Sequence, residues 1–139
     1  MSDSTYKLYT DGGARGNPGP AAVGVVLKNS VGKIVREVGS YLGETTNNQA
    51  EYKALILGLR TAIEQGVTNL VCYLDSELVV KQLTGEYKVK NIGLKPLTTE
   101  VAALEKSFED VSYIHVTRDK NKKADQLVNQ VLDEVAKTS

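Results

Sequence analysis

Four acidic residues carry the chemistry this 139-residue chain can offer: Asp11, Glu51, Asp75 and Asp125. Each stands where the pattern of the sequence changes. Asp11 follows an alternating apolar run, residues 6–10, and opens the segment Asp11-Gly12-Gly13-Ala14-Arg15-Gly16-Asn17-Pro18-Gly19-Pro20, rich in residues that turn a chain. Asp75 follows the continuous apolar run 69–74. Glu51 stands near the start of a stretch with Leu55, Ile56, Leu59, Ala62 and Ile63 at helical spacing, and Asp125 near the start of the last such stretch. Taken singly, Asp75 reads equally as an N-cap, and Glu51 and Asp125 as acids that complement a helix dipole. Gathered together, four carboxylates repel one another unless a hard divalent cation sits among them. Ligation by oxygen alone favours Mg²⁺ or Mn²⁺ over zinc, which prefers His or Cys.

Periodicity supplies the elements that must position these acids. Residues 6–10, 21–28 and 34–42 read as three strands of an antiparallel meander, with Gly24 marking close packing or a bulge. Thr45, Thr46, Asn47 and Asn48 offer caps for a helix from residue 49 that Gly66 closes. Residues 69–74 form a strand whose unbroken apolar character predicts burial on both faces. Asp75-Ser76 cap a short helix to residue 83, residues 85–91 make a basic loop, and residues 94–108 read as a helix with Pro96 in its first turn. A strand at 111–116, a polar loop and a helix at 124–136 complete the chain. This order predicts an α/β fold: a five-stranded mixed sheet, three antiparallel strands then two parallel, flanked by helices. Such sheets bind ligands at the carboxyl ends of their parallel strands. Asp11 and Asp75 then end the first and fourth strands, with Glu51 and Asp125 in the first turns of helices at the same edge.

Lys plus Arg equals Asp plus Glu, 17 each, which excludes a strongly electrostatic, non-specific polyanion binder. It leaves room for a local patch, and Lys88, Lys90 and Asn91 form one that can track phosphates. The single cysteine, Cys72, allows no internal disulfide and suits a reducing cytosol. Residues 1–5 are polar and no apolar run reaches membrane-spanning length. The expectation is one soluble domain over residues 1–139, cytoplasmic and independent of membranes.

Four blocks, TDGGARGNPGPAAVG, TTNNQAEYKALILGL, LDSELVVKQLTGEYKVKN and VTRDKNKKADQLVN, resemble in order and separation the ribonuclease H type 1 family. The resemblance runs from about residue 7 to residue 131 and is strongest to the short bacterial or archaeal form. It implies the ribonuclease H-like fold and a monomeric endonuclease that cuts the RNA strand of RNA–DNA hybrids. It also implies two Mg²⁺ ions, replaceable by Mn²⁺, with 5′-phosphate and 3′-hydroxyl ends as products. Carried onto this chain, the metal-binding acids are Asp11, Glu51, Asp75 and Asp125, with Glu51 also accepting from a 2′-hydroxyl. Gly12, Gly13 and Asn17 match positions lying against the minor groove, where the 2′-hydroxyl marks RNA. Thr46, Asn47 and Asn48 match positions that touch the DNA strand. Lys88 and Lys90 would follow DNA phosphates.

The chain departs from well-known members in two places. It has no tryptophan and only the short loop 85–91 where many members carry a basic protrusion that grips hybrid, so weaker, more salt-sensitive binding is expected. Many members also assist product release with a mobile loop histidine. Here the one histidine, His115, falls inside a strand pattern and reads as structural, while Arg118 follows in a loop and takes the assisting role. Two further readings fit the pattern: an inactive hybrid-binding module, and another metal-dependent nuclease of the superfamily such as a resolvase.

Overall fold

The computed structural model describes residues 4–138; residues 1–3 of the polar opening lie outside them. Strands β1 (Thr5–Ala14), β2 (Gly19–Lys28) and β3 (Ile34–Thr45) precede helix α1 (Asn47–Glu64). Then come β4 (Asn69–Leu74), α2 (Glu77–Leu83), α3 (Lys95–Glu105), β5 (Asp110–His115), a short 3₁₀ turn (Arg118–Lys120) and α4 (Lys122–Thr138). The sheet order is β3-β2-β1-β4-β5, antiparallel through the first three strands and parallel from β1 to β5. This is the mixed sheet the alternating periodicities predict, with β1 shared between its halves. No helix among the described residues is long and apolar enough to cross a membrane.

One face of the sheet carries the main core. Leu8, Val25, Leu27, Leu70, Cys72 and Leu74 pack there against Tyr52, Leu55 and Leu59 of α1, with Val79, Val101 and Phe108 closing the sides. The other face is covered by α4, which lies on β1, β2 and β3 and buries Val128 and Leu132 against Ala22. Since α4 stops short of β4, only Leu70, Cys72 and Leu74 of that strand are buried, and Asn69, Val71 and Tyr73 stay half-exposed. The expected burial on both faces is corrected accordingly.

Two glycines let the helices approach the sheet closely. A Cβ on Gly12 would fall 2.2 Å from the Ala50 carbonyl oxygen of α1. A Cβ on Gly24 would fall 2.2 Å from the Ala124 carbonyl oxygen of α4. Neither distance is possible between real atoms, so both helices rest against bare backbone.

Close packing also explains why β1 is longer than expected. The segment after residue 10 reads as a turn, yet Asp11 to Ala14 continue in register with Gly24 to Ala21 of β2. Only the ladder to β4 stops, at Thr10↔Leu74. Of the segment's glycines only Gly16, with φ of 98°, turns the chain. The first helix starts earlier than predicted because Thr46 is its cap, accepting from the Gln49 N–H at 3.2 Å. Glu51 therefore sits in the second turn of α1, not the first. Residues 117–121, expected as plain loop, contain the 3₁₀ turn.

Substituting Gly24 by Ala should force α4 off the sheet. Overpacking of this kind costs about 1–3 kcal/mol, and urea denaturation should report it as a lower midpoint. An unchanged midpoint would mean that α4 yields freely at this contact.

Candidate active site

The two glycine contacts decide which side chains meet. Ala50 at Gly12 puts its neighbour Glu51 beside β1, and Ala124 at Gly24 does the same for Asp125, because Gly24 is the register partner of Asp11. Asp75 enters from β4, which ends at Leu74 beside Thr10. Asp11, Glu51 and Asp75 each offer a carboxylate oxygen within 4.8 Å of the others, and all three are half-buried. Asp125 stands near enough to Asp11 to raise its pKa and lines the same groove of about 360 Å³, as does Arg118.

Like charges packed this closely resist ionisation. Burial is the largest cause lifting Asp11 to about 8, followed by the charges of Asp75 and Asp125, the hydrogen bond to Asp125, and the charge of Glu51. Burial also lifts Glu51 to about 7, reinforced by Asp75 and opposed by a hydrogen bond from Ser76 and the charge of Arg118. Glu51 Oε2 is buried without a hydrogen-bond partner among the described residues. Such an oxygen is costly unless a cation or donor meets it. An orphaned buried oxygen, three converging carboxylates and a donor set of oxygen alone fit a divalent ion such as Mg²⁺.

Neighbouring side chains hold the acids in place. Ser76 caps α2 by accepting from the Val79 N–H at 3.2 Å and lines the same small cleft as Glu51. Asn121, 1% exposed, points its amide nitrogen at the Thr10 carbonyl (2.9 Å) and at Asp75 Oδ2 (3.2 Å). One amide thus ties β1 to the carboxylate that ends β4. Nothing in the sequence distinguishes Asn121 from an ordinary cap ahead of α4, so its part in the site was not foreseen.

The residues implied for substrate contact are placed variously. Gly13, Gly12 and Asn47 line the groove with the acids. Gly12 is buried under α1, so helix packing is its evident role. Asn17 Oδ1 accepts from the Asn47 N–H (3.0 Å), and Asn47 Oδ1 accepts from the Ala14 N–H (2.9 Å), a reciprocal clasp between the β1–β2 hairpin and α1. Thr46 caps α1 and Asn48 beside it is half-exposed. Lys88 and Lys90 line a separate depression with Leu78, Glu86 and Tyr87, away from the acid groove. His115, expected to be structural, is the exposed last residue of β5 and contributes no core packing.

A family model described as "Reverse transcriptase-like" matches residues 9–131. The chain is 46% identical over 126 residues, 91% of its length, to a ribonuclease HI of Halobacterium salinarum. It spans 63% of that relative's length and 36% of the length of mycobacterial relatives to which it is 40% identical. Its fold is similar to the crystal structure of RNase H1 from Halobacterium salinarum, with TM-score 0.91 at 45% identity, covering 94% of this chain and 98% of that one. It is equally similar to LC11-RNase H1 in complex with RNA/DNA hybrid, with TM-score 0.90 at 41% identity over 94% and 99% of the two chains.

The raised acids make stability depend on pH in a definite direction. Between roughly pH 4 and pH 8 the unfolded chain has released protons that folded Asp11 and Glu51 retain, so the cation-free fold weakens as pH rises. In EDTA, Tm should fall from pH 5.5 to pH 8.5, Asp11→Asn should raise Tm at pH 8.5, and Mg²⁺ should restore more at pH 8.5 than at pH 5.5. A lower Tm for Asp11→Asn at pH 8.5 in EDTA would contradict the repulsion.

Proposed function

This chain belongs to the ribonuclease H family, and from that premise we propose that it hydrolyses the RNA strand of RNA–DNA hybrids, leaving 5′-phosphate and 3′-hydroxyl ends. The observation that carries the reading is the meeting of Asp11, Glu51 and Asp75 within 4.8 Å around the unpartnered Glu51 oxygen. Those acids and Asp125 would hold two Mg²⁺ ions, or Mn²⁺ in their place. Bound there, such ions supply the charge that activates an attacking water and stabilises the leaving oxygen of an in-line displacement.

The chain's own residues do the remaining work. Asn121 fixes the orientation of Asp75, and Ser76, beside Glu51, favours the ionised form of its carboxylate. Glu51 also accepts from the 2′-hydroxyl that separates RNA from DNA. Gly12, Gly13 and Asn17 meet the minor groove; the Asn17–Asn47 clasp stiffens that hairpin before substrate arrives, which supports the role. Thr46, Asn47 and Asn48 take the DNA strand, with Lys88 and Lys90 further along its phosphates. Arg118, exposed on its 3₁₀ turn and lining the acid groove, assists turnover by gripping a departing phosphate with paired donors. The enzyme works as a monomeric domain over residues 1–139 in the cytoplasm, a compartment that suits the free, buried Cys72.

The test offers the protein one RNA–DNA hybrid and the matched DNA–DNA and RNA–RNA duplexes, each with Mg²⁺, Mn²⁺ or EDTA. Only the hybrid's RNA strand should be cut, and only with a cation. Asp75→Asn should lose about a thousandfold or more in rate, equivalent to the several kcal/mol the ions supply. Arg118→Ala should lower kcat about tenfold or more with hybrid binding little changed, and His115→Ala should leave turnover near that of the parent. Cutting in EDTA, or equal cutting of the all-DNA duplex, would refute the proposal.

A further inference from the structure

The groove that holds the four acids has two cationic residues in its lining, Arg118 and Arg15. Arg15 begins the hairpin between β1 and β2, and its backbone is pinned by an N–H bond to the Pro20 carbonyl at 2.9 Å. Its side chain crosses to α4. There one guanidinium nitrogen donates to Asp133 Oδ1 at 2.7 Å and, at 3.4 Å, to Asn129 Oδ1. Asp125, Asn129 and Asp133 follow one another at four-residue intervals and so share a face of α4. Arg15 is therefore held about 6 to 12 Å along the helix from Asp125, roughly two to four nucleotides' rise along a duplex strand.

Both partners of the ion pair are largely exposed, with 43% of the Arg15 side chain and 60% of the Asp133 side chain open to solvent. Exposed pairs of this kind are weak and exchange readily. A phosphate is the better partner for the guanidinium fork, because two oxygens accept two parallel N–H donors. The groove also needs such a cation, since four carboxylates repel the backbone of any nucleic acid lying across them.

We propose that Arg15 grips a backbone phosphate of the strand flanking the cleavage site, and that Asp133 is its placeholder in the free protein, surrendered when nucleic acid binds. This rests on the hybrid-cutting reading above and names a substrate contact within it. A purely architectural role, a staple between hairpin and α4, makes the opposite forecast for Asp133. Loss of either end of a staple acts in the same direction; loss of a placeholder frees Arg15 for substrate.

The experiment measures KM and kcat for hybrid cleavage, and hybrid affinity by fluorescence anisotropy in EDTA at several salt concentrations, for the parent, Arg15→Ala, Arg15→Lys, Asp133→Asn and the Arg15→Ala/Asp133→Asn pair. Arg15→Ala should raise KM about three- to tenfold, the change falling in KM rather than kcat, and should flatten the salt slope of binding by about one unit. Arg15→Lys should recover part of the loss. Asp133→Asn should lower KM about twofold, in scale with an exposed pair, and should have no effect once Arg15 is absent. A rise in KM for Asp133→Asn matching that of Arg15→Ala would establish the staple and overturn the proposal. So would an Arg15→Ala protein with parental KM and salt slope. In both cases the parent still cuts hybrid, whereas a parent that neither binds nor cuts hybrid would bring down the underlying reading as well.

Discussion

The site depends on two places where a helix backbone touches a strand that has no side chain. Gly12 lies under the Ala50 carbonyl and Gly24 under the Ala124 carbonyl. Each contact sets the position of the next residue along its helix, Glu51 in one case and Asp125 in the other. Both glycines lie next to Asp11, one along β1 and one across the ladder. Asp11 is thus the point at which two helices on opposite faces of the sheet are registered. The fourth acid needs no glycine, because the parallel pairing of β4 with β1 delivers it.

The same registration creates an electrostatic cost. Burial and mutual repulsion hold Asp11 and Glu51 well above the ordinary carboxylate range, and Glu51 Oε2 is left without a partner. Hydrophobic burial in the main core supports this arrangement, since Leu55 and Leu59 anchor α1 a turn or two beyond Glu51. Asn121 then restricts how far Asp75 can swing away from β1. A rigid cluster of this kind is poor for stability alone and well suited to a divalent cation, whose charge reverses the local preference for protonated acids.

Much of this was legible in the sequence, and the failures share a cause. The strand Asn69–Leu74 and the acid after it were plain, because an apolar run ending in Asp-Ser has few alternatives. The sheet order followed from the change of periodicity after β3. The extension of β1 through Asp11, Gly12 and Gly13 was hidden, because glycines mark turns in a local reading and only α1 shows why they belong in a strand. Thr45, Thr46, Asn47 and Asn48 can all cap, so the chain alone did not fix where α1 begins or which turn holds Glu51. Asn121 resembles a cap, but its amide bonds to Thr10, 111 positions away in sequence. Half-exposure of Val71 and Tyr73 depends on how far α4 reaches across the sheet, a tertiary quantity without local signature. Lys88 and Lys90 were correctly seen as a basic loop, while their separation from the acid groove follows from where α2 ends.

Carboxylates gathered and partly protonated in this way form a site for a divalent cation only if the ion displaces their protons. Calorimetric titration of Mn²⁺ at pH 7.5, repeated in buffers of different ionisation enthalpy, tests this most directly. Binding should be saturable, release protons from Asp11 and Glu51, and weaken towards pH 5.5. Absence of saturable binding, or binding with no proton release and no dependence on pH, would contradict such a site.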